Sequence, residues 1–201
     1  LLINYLSYSQ IETFNVCPMH YRAKYVLKLP VPQSSAQSFG TSIHATLREF
    51  YEELRFGKKI DKKGLLDILK KNWINEGYHS KKHELFSLER GKKMLNSFFE
   101  KFYDGKTFPI ALELPFKFRI NNLTIGGRID RIDKTETGIE ITDYKTGVTI
   151  PTEKDIATNP QLTIYALAAT EVHDQYLGKK PEEVKLSFYF QFIHFKPDNE
   201  Q

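Results

Sequence analysis

The 201 residues are 40% hydrophobic and 27% charged, with 29 basic side chains against 25 acidic ones and a net charge of +4. That composition fits one domain of generous size, or one core with a sizeable insertion. It excludes a bilayer span, because no apolar run approaches the ~20 residues required. The single cysteine, Cys17, excludes an internal disulfide framework and a self-contained cysteine metal cluster, and it fits a reducing, cytoplasmic compartment. A pI near 8.9 is compatible with a polyanionic partner and equally with an ordinary surface. The opening Leu1-Leu2-Ile3-Asn4-Tyr5 has neither an initiator Met nor a signal pattern, so the chain is expected to be a piece of a longer protein.

In chain order, Ser9-Gln10-Ile11-Glu12 reads as a capping box opening a short helix. Cys17-Pro18 interrupts it, and Pro18 suits the first turn of a second helix running to about Leu29. Leu29-Pro30-Val31-Pro32 and the Gln/Ser-rich run after it read as a loop. Phe39, Ile43, Leu47, Phe50 and Leu54 then recur at helical spacing. Residues 58–106 read as a charged helical insertion. Leu65, Leu66, Ile68 and Leu69 suit one helix; Met94, Leu95, Phe98, Phe99 and Phe102 suit another. The lysines of that region are expected to be solvated helix faces rather than a DNA-facing arm.

After Pro109 the pattern changes to strands: Ile110–Ile120, Leu123–Asp133 and Gly138–Thr146, split by Asn121-Asn122 and by Thr135-Glu136-Thr137-Gly138. A helix from about Lys154 to Tyr176 and a strand from Val184 to Ile193 follow. There are no repeats, low-complexity tracts or linkers. Helices, a three-strand meander, then helix and strand predict an α/β domain with a central mixed sheet flanked by helices.

A turn centred between Glu136 and Thr137 places Asp130 opposite Asp143. Arg128, Asp130, Ile132, Ile139, Ile141, Asp143 and Lys145 then share one face. Opposed carboxylates among isoleucines repel each other, and a divalent cation would remove that cost. The same register opposes Asp133 and Glu140 beside Arg131, so opposed acids by themselves leave a metal site and an ion-pair ladder equally open.

These residues also carry a resemblance. Gly127-Arg128-Ile129-Asp130-Arg131 followed by Asp143-Tyr144-Lys145-Thr146-Gly147 resembles the paired motifs of RecB-like PD-(D/E)xK nucleases. Gly40-x-x-x-His44 and Gln161-x-x-x-Tyr165 fall where that family has its upstream and downstream elements, and Leu6-Ser7-Tyr8-Ser9 with Cys17-Pro18 is also similar. The likeness runs from about residue 6 to residue 192 and is weakest across 58–106. Asp-x-Lys alone is a weak motif; four elements in order are a strong one.

The resemblance implies a restriction-endonuclease-like core and a metal-dependent DNA nuclease, exonuclease in character, acting in DNA repair or recombination beside a helicase. It implies Asp130, Asp143 and Lys145 as catalytic residues. His44, Asp130, Asp143 and the backbone carbonyl of Tyr144 would hold Mg²⁺ or Mn²⁺. Gln161, Tyr165 and Arg128 would contact the substrate backbone, and Glu113 would serve as an outer ligand or, by preference, a structural partner for Arg128 or Arg131. Some relatives, such as AddB-like subunits and the CRISPR-associated adaptation nucleases, hold an iron–sulfur cluster on four cysteines. One thiol cannot build it, so no such cluster is expected, and Cys17 is expected to be a small buried residue. The competing expectation is a domain that grips DNA without cutting; the intact acid–lysine set argues against it.

Overall fold

The computed structural model describes residues 5–147, 152–190 and 193–195. Strand β1 (Tyr5–Leu6) leads into α1 (Tyr8–Val16), whose first turn is capped by the Ser7 hydroxyl accepting from the Gln10 N–H. The cap is therefore Ser7 rather than Ser9. The short α2 (Pro18–Tyr21) passes directly into a π-helical turn, Arg22–Val26, so the expected helix to Leu29 ends early and widened. Cys17 is partly exposed, not buried, and its Sγ accepts from the His20 N–H at 3.4 Å at the start of α2.

Helix α3 (Ser35–Arg55) starts four residues earlier than its apolar stripe, because Ser34 and Gln37 form a reciprocal capping box inside the run expected to be loop. Phe39, Ile43, Leu47, Phe50 and Leu54 are all buried. They pack with Leu65, Ile68 and Leu69 of α4 (Lys62–Lys71) and with Met94, Leu95 and Phe98 of α5 (Lys81–Lys101). This aromatic-rich helical core also takes in Tyr144 of the sheet.

The strands are β2 (Ala111–Ile120), β3 (Leu123–Lys134), β4 (Gly138–Lys145), β5 (Glu183–Phe190) and β6 (Ile193–Phe195). With β1 they form a six-stranded mixed sheet among the described residues. The hairpin register is the expected one: Arg131 pairs with Thr142, Ile132 with Ile141 and Asp133 with Glu140. β4 and β5 run parallel, with Gly138 opposite Glu183; a Cβ at Gly138 would lie 2.0 Å from the Glu183 carbonyl oxygen, so only glycine admits that approach.

The expected helix from Lys154 to Tyr176 is broken. α6 (Glu153–Ala157) ends before Asn159, and α7 (Pro160–Glu171) restarts with Asn159 as cap and Pro160 in its first turn. A 3₁₀ turn, His173–Gln175, closes it. The strand expected at Val184–Ile193 runs to Phe190; residues 191 and 192 lie outside the described residues. Ile132, Ile139 and Ile141 pack against Tyr165, Ala168 and Ala169 of α7, on the sheet face opposite the Tyr144 side chain.

Candidate functional site

The edge of β3 explains why a site can form here. β2 pairs along almost the whole length of one edge of β3. On the other edge, β1 pairs at Thr124 and Ile125, and β4 only from Arg131 to Lys134. Beyond Thr142, β4 stays with β5 and its ladder with β3 stops. Asp130 stands where the strands part. Its Oδ2 accepts from the Tyr144 N–H at 2.9 Å, so a carboxylate replaces the missing ladder carbonyl and satisfies a buried donor.

Helix α3 brings the third group. Gly40 lies against the end of β4; a Cβ there would meet Thr146 Oγ1 at 3.2 Å. One turn on, His44 Nε2 lies 2.9 Å from the Tyr144 carbonyl oxygen. A carbonyl can only accept, so Nε2 carries the hydrogen. Nδ1 sits 3.4 Å from Asp130 Oδ2 and 3.9 Å from Glu113 Oε1. Burial opposes protonation of this ring, but the charges and hydrogen bonds of Asp130 and Glu113 prevail and raise its pKa well above the usual imidazole value.

Asp143 is buried and held from three sides. Lys145 Nζ is 2.7 Å from its Oδ2, while Gln161 Nε2 donates to Oδ1 at 2.9 Å and the Tyr165 hydroxyl lies 3.1 Å from the same oxygen. Gln161 also accepts from Lys145 Nζ at 2.6 Å. Burial pushes the Asp143 pKa up; Lys145 pulls it down and Asp130 pushes it up again, leaving it above the ordinary aspartate value. For Lys145, burial favours the neutral amine, but Asp143 and Asp130 raise its pKa, so it keeps its charge.

Glu113 sits mid-strand in β2 with φ +47, where the β2–β3 pairing omits it. A non-glycine residue in that region costs roughly 1–2 kcal/mol, and here the distortion turns its carboxylate toward His44. Glu113 Oε2 is also 3.6 Å from Arg128 Nη1. The sequence favoured a structural role; the geometry gives it both an arginine partner and a place among the candidate ligands. His44, Glu113 and Asp130 each offer one ligand atom, all within 4.8 Å of one another. An imidazole with two hard carboxylates suits a divalent ion such as Mn²⁺ or Mg²⁺, so the donor set fits.

Among the sequence-derived candidates, the structure joins His44, Asp130 and the Tyr144 backbone directly, and Asp143, Lys145, Gln161 and Tyr165 in an adjoining network. Arg128 is exposed at the margin beside Glu113. The resemblance implies substrate-backbone contacts for Gln161 and Tyr165; in the structure both are buried and bonded to Asp143, which they brace. The role of Arg131 has no local sequence signal: its guanidinium is held by both Asp133 oxygens at 2.6 and 2.8 Å and reaches the hydroxyls of Tyr51 and Tyr144. Asp133, a rival candidate for metal ligation, is thereby engaged in an ion pair. Of the insertion's lysines, Lys58, Lys62, Lys70, Lys71, Lys81 and Lys92 pair with nearby acids, in keeping with solvated helix faces. No helix among the described residues is long and apolar enough to cross a membrane.

A mixed sheet parted at an acidic pair, with a lysine two residues past the second acid, is the arrangement of a nuclease fold. The chain belongs to the PD-(D/E)XK nuclease superfamily, whose sequence profile matches residues 5–200. It is 28% identical over 225 aligned positions to a subunit of the ATP-dependent helicase/deoxyribonuclease of Carboxydothermus hydrogenoformans, and 27% identical to the same subunit from Moorella thermoacetica. Those alignments cover 93% and 92% of this chain but 20% and 19% of the relatives, so the chain spans about a fifth of their length. In three dimensions it resembles the crystal structure of a provisionally assigned exonuclease from Eubacterium rectale, with a TM-score of 0.54 and 14% identity over 92% of this chain and 66% of that one. At that identity the likeness establishes the fold alone.

Proposed function

We propose that the chain is a divalent-metal-dependent deoxyribonuclease, exonuclease in mode, working beside a helicase in DNA repair or recombination. The observation that carries it is the cluster of His44, Glu113 and Asp130 next to a charged Lys145 that is fixed by Asp143 and Gln161. The helicase link rests on the names of the relatives, of which this chain spans about a fifth.

His44, Asp130, Asp143 and the Tyr144 carbonyl would hold the ion, with Glu113 as a further or outer ligand. When bound, the ion supplies positive charge against the phosphodiester and acidifies water. Lys145, protonated and aimed from the rim, would orient the attacking water and stabilise charge building on the phosphate rather than act as base. Gln161 and Tyr165 would keep Asp143 and Lys145 in place; the backbone contacts implied for them by the family would add to that bracing. Arg128 would contact a neighbouring phosphate. Such contacts carry no sequence information, in keeping with an end-processing enzyme rather than a base-reading one. The imidazole favours Mn²⁺ over Mg²⁺ in binding strength.

The test is cleavage of end-labelled single- and double-stranded DNA, linear and circular, with Mn²⁺, Mg²⁺ or EDTA. Metal-dependent cutting is expected to fall by at least ~10²-fold in Lys145→Ala and Asp130→Ala, and circles are expected to survive. Binding without cutting in any metal would instead mark a grip domain. Cutting that persists in both variants would move the site elsewhere.

A further inference from the structure

Beside the end of β4 lies a cleft of about 270 Å³, between Ser35 and Phe39 of α3, His83, Ser87 and Arg90 of α5, and Thr146. Thr146 follows Lys145 directly, so the cleft adjoins the acidic site. Arg90 is among its lining residues. Its guanidinium stacks 4.3 Å from the Phe39 ring centroid and, among the described residues, donates to the Thr146 carbonyl oxygen at 2.5 Å. Among the described residues no carboxylate balances this cation, and burial lowers its pKa. The insertion's paired lysines are the contrast: each has an acid beside it, whereas Arg90 is partly desolvated and most of its five N–H donors have no partner among the described residues. His83 also lines the cleft, but its Nδ1 is itself enclosed, so Arg90 is the donor the cleft offers.

We propose that this cleft binds a backbone phosphodiester of the nucleic-acid strand, adjacent to the one that is cut, with Arg90 as its donor. A partly buried guanidinium without a counter-ion is stabilised by an anion, and a phosphodiester matches its fork geometry. The first turn of α3 forms the facing wall, with a dipole of the favourable sign. The contact fixes the strand's register over Asp130 and Asp143 without reading bases. The identity of the anion rests on the nuclease reading above.

Binding of a fluorescein-labelled single-stranded oligonucleotide, followed by anisotropy in EDTA across a salt series, tests it without any cutting. Arg90→Gln keeps a donor for Thr146 but removes the charge. It is expected to weaken binding several-fold and to lower the slope of log K against log salt by about 0.7, one single-strand phosphate. Arg90→Lys is expected to retain the slope. Oligonucleotides with one methylphosphonate linkage, scanned along the strand, are expected to reveal a position that weakens wild-type binding but not that of Arg90→Gln. A slope and scan identical to wild type in Arg90→Gln would overturn the proposal, as would competition by millimolar inorganic phosphate with a flat scan. Because binding is read in EDTA, a protein that never cuts sinks the nuclease reading and leaves this result standing; an unchanged slope in a protein that cuts sinks only the cleft.

Discussion

His44 Nε2 lies 2.9 Å from the carbonyl oxygen of Tyr144, so two groups proposed to hold one cation are hydrogen-bonded to each other without it. Nδ1 is the nitrogen that faces Asp130 and Glu113, so a cation bound there displaces a proton from the raised imidazole while Nε2 can keep its contact with the carbonyl. Mn²⁺ affinity is therefore expected to fall as pH drops below the raised imidazole pKa. Calorimetry in buffers of different ionisation enthalpy should detect proton release. At a free Mn²⁺ concentration of 100 times Kd, the gain in stability should be about 2.7 kcal/mol, and His44→Ala should lose most of it. Without metal the sign reverses: a raised pKa contributes stability that is complete below the unfolded value of 6.5 and is lost as pH rises through the folded value. A Mn²⁺ shift unaltered in His44→Ala would remove His44 from the site.

Tyr165 of α7 braces Asp143, with its hydroxyl 3.1 Å from Oδ1. Tyr165→Phe removes that donor while keeping the ring among Ala168, Ala169 and Phe116. Asp143, already raised by burial, should rise further. The acid limb of the pH–rate profile should move to higher pH, with a loss at neutral pH of roughly tenfold, or about 1.4 kcal/mol. An unchanged profile with lower thermal stability would make Tyr165 a packing residue only.

Arg131 and Asp133 form a buried ion pair that joins the sheet to Tyr51 of α3. Removing one partner strands a charge, so Arg131→Met is expected to cost about 3–5 kcal/mol in urea unfolding. Adding Asp133→Leu should restore a large part, because two buried charges are then removed together. A double variant no more stable than the single one would show that Arg131 acts through the two tyrosines instead.

Asp104 gives a pH dependence away from the site. Burial raises its pKa, but hydrogen bonds from the Thr107 hydroxyl and from the N–H groups of Thr107 and Lys106 together outweigh that and lower it to about 2. A depressed carboxylate pKa contributes stability that is present above the unfolded value of 3.8 and lost as pH falls through 2. Asp104→Asn should therefore flatten the acid side of the stability curve over that interval and leave stability at pH 7 slightly lower. Parallel curves for the two proteins between pH 4 and pH 2 would contradict this.

What the amino-acid order determined was whatever depends on local periodicity. The α3 stripe from Phe39 to Leu54 follows from helical spacing, and the β3–β4 register and the face shared by Ile132, Ile139 and Ile141 follow from strand alternation and one turn. Helix boundaries were legible only in part: Asn159-Pro160 restarts a helix that the apolar pattern ran straight through, because a cap and a proline override periodicity there. Contacts between residues far apart in sequence were decided by tertiary structure. β1 beside β3, the parting of β3 from β4 that sets the Asp130 carboxylate on the Tyr144 N–H, the left-handed turn at Glu113 and the approach of Arg90 to Thr146 all join segments that sequence spacing does not relate. Local chemistry named the acids; the packing of α3, α5 and α7 around a parted sheet decided which of them face one another.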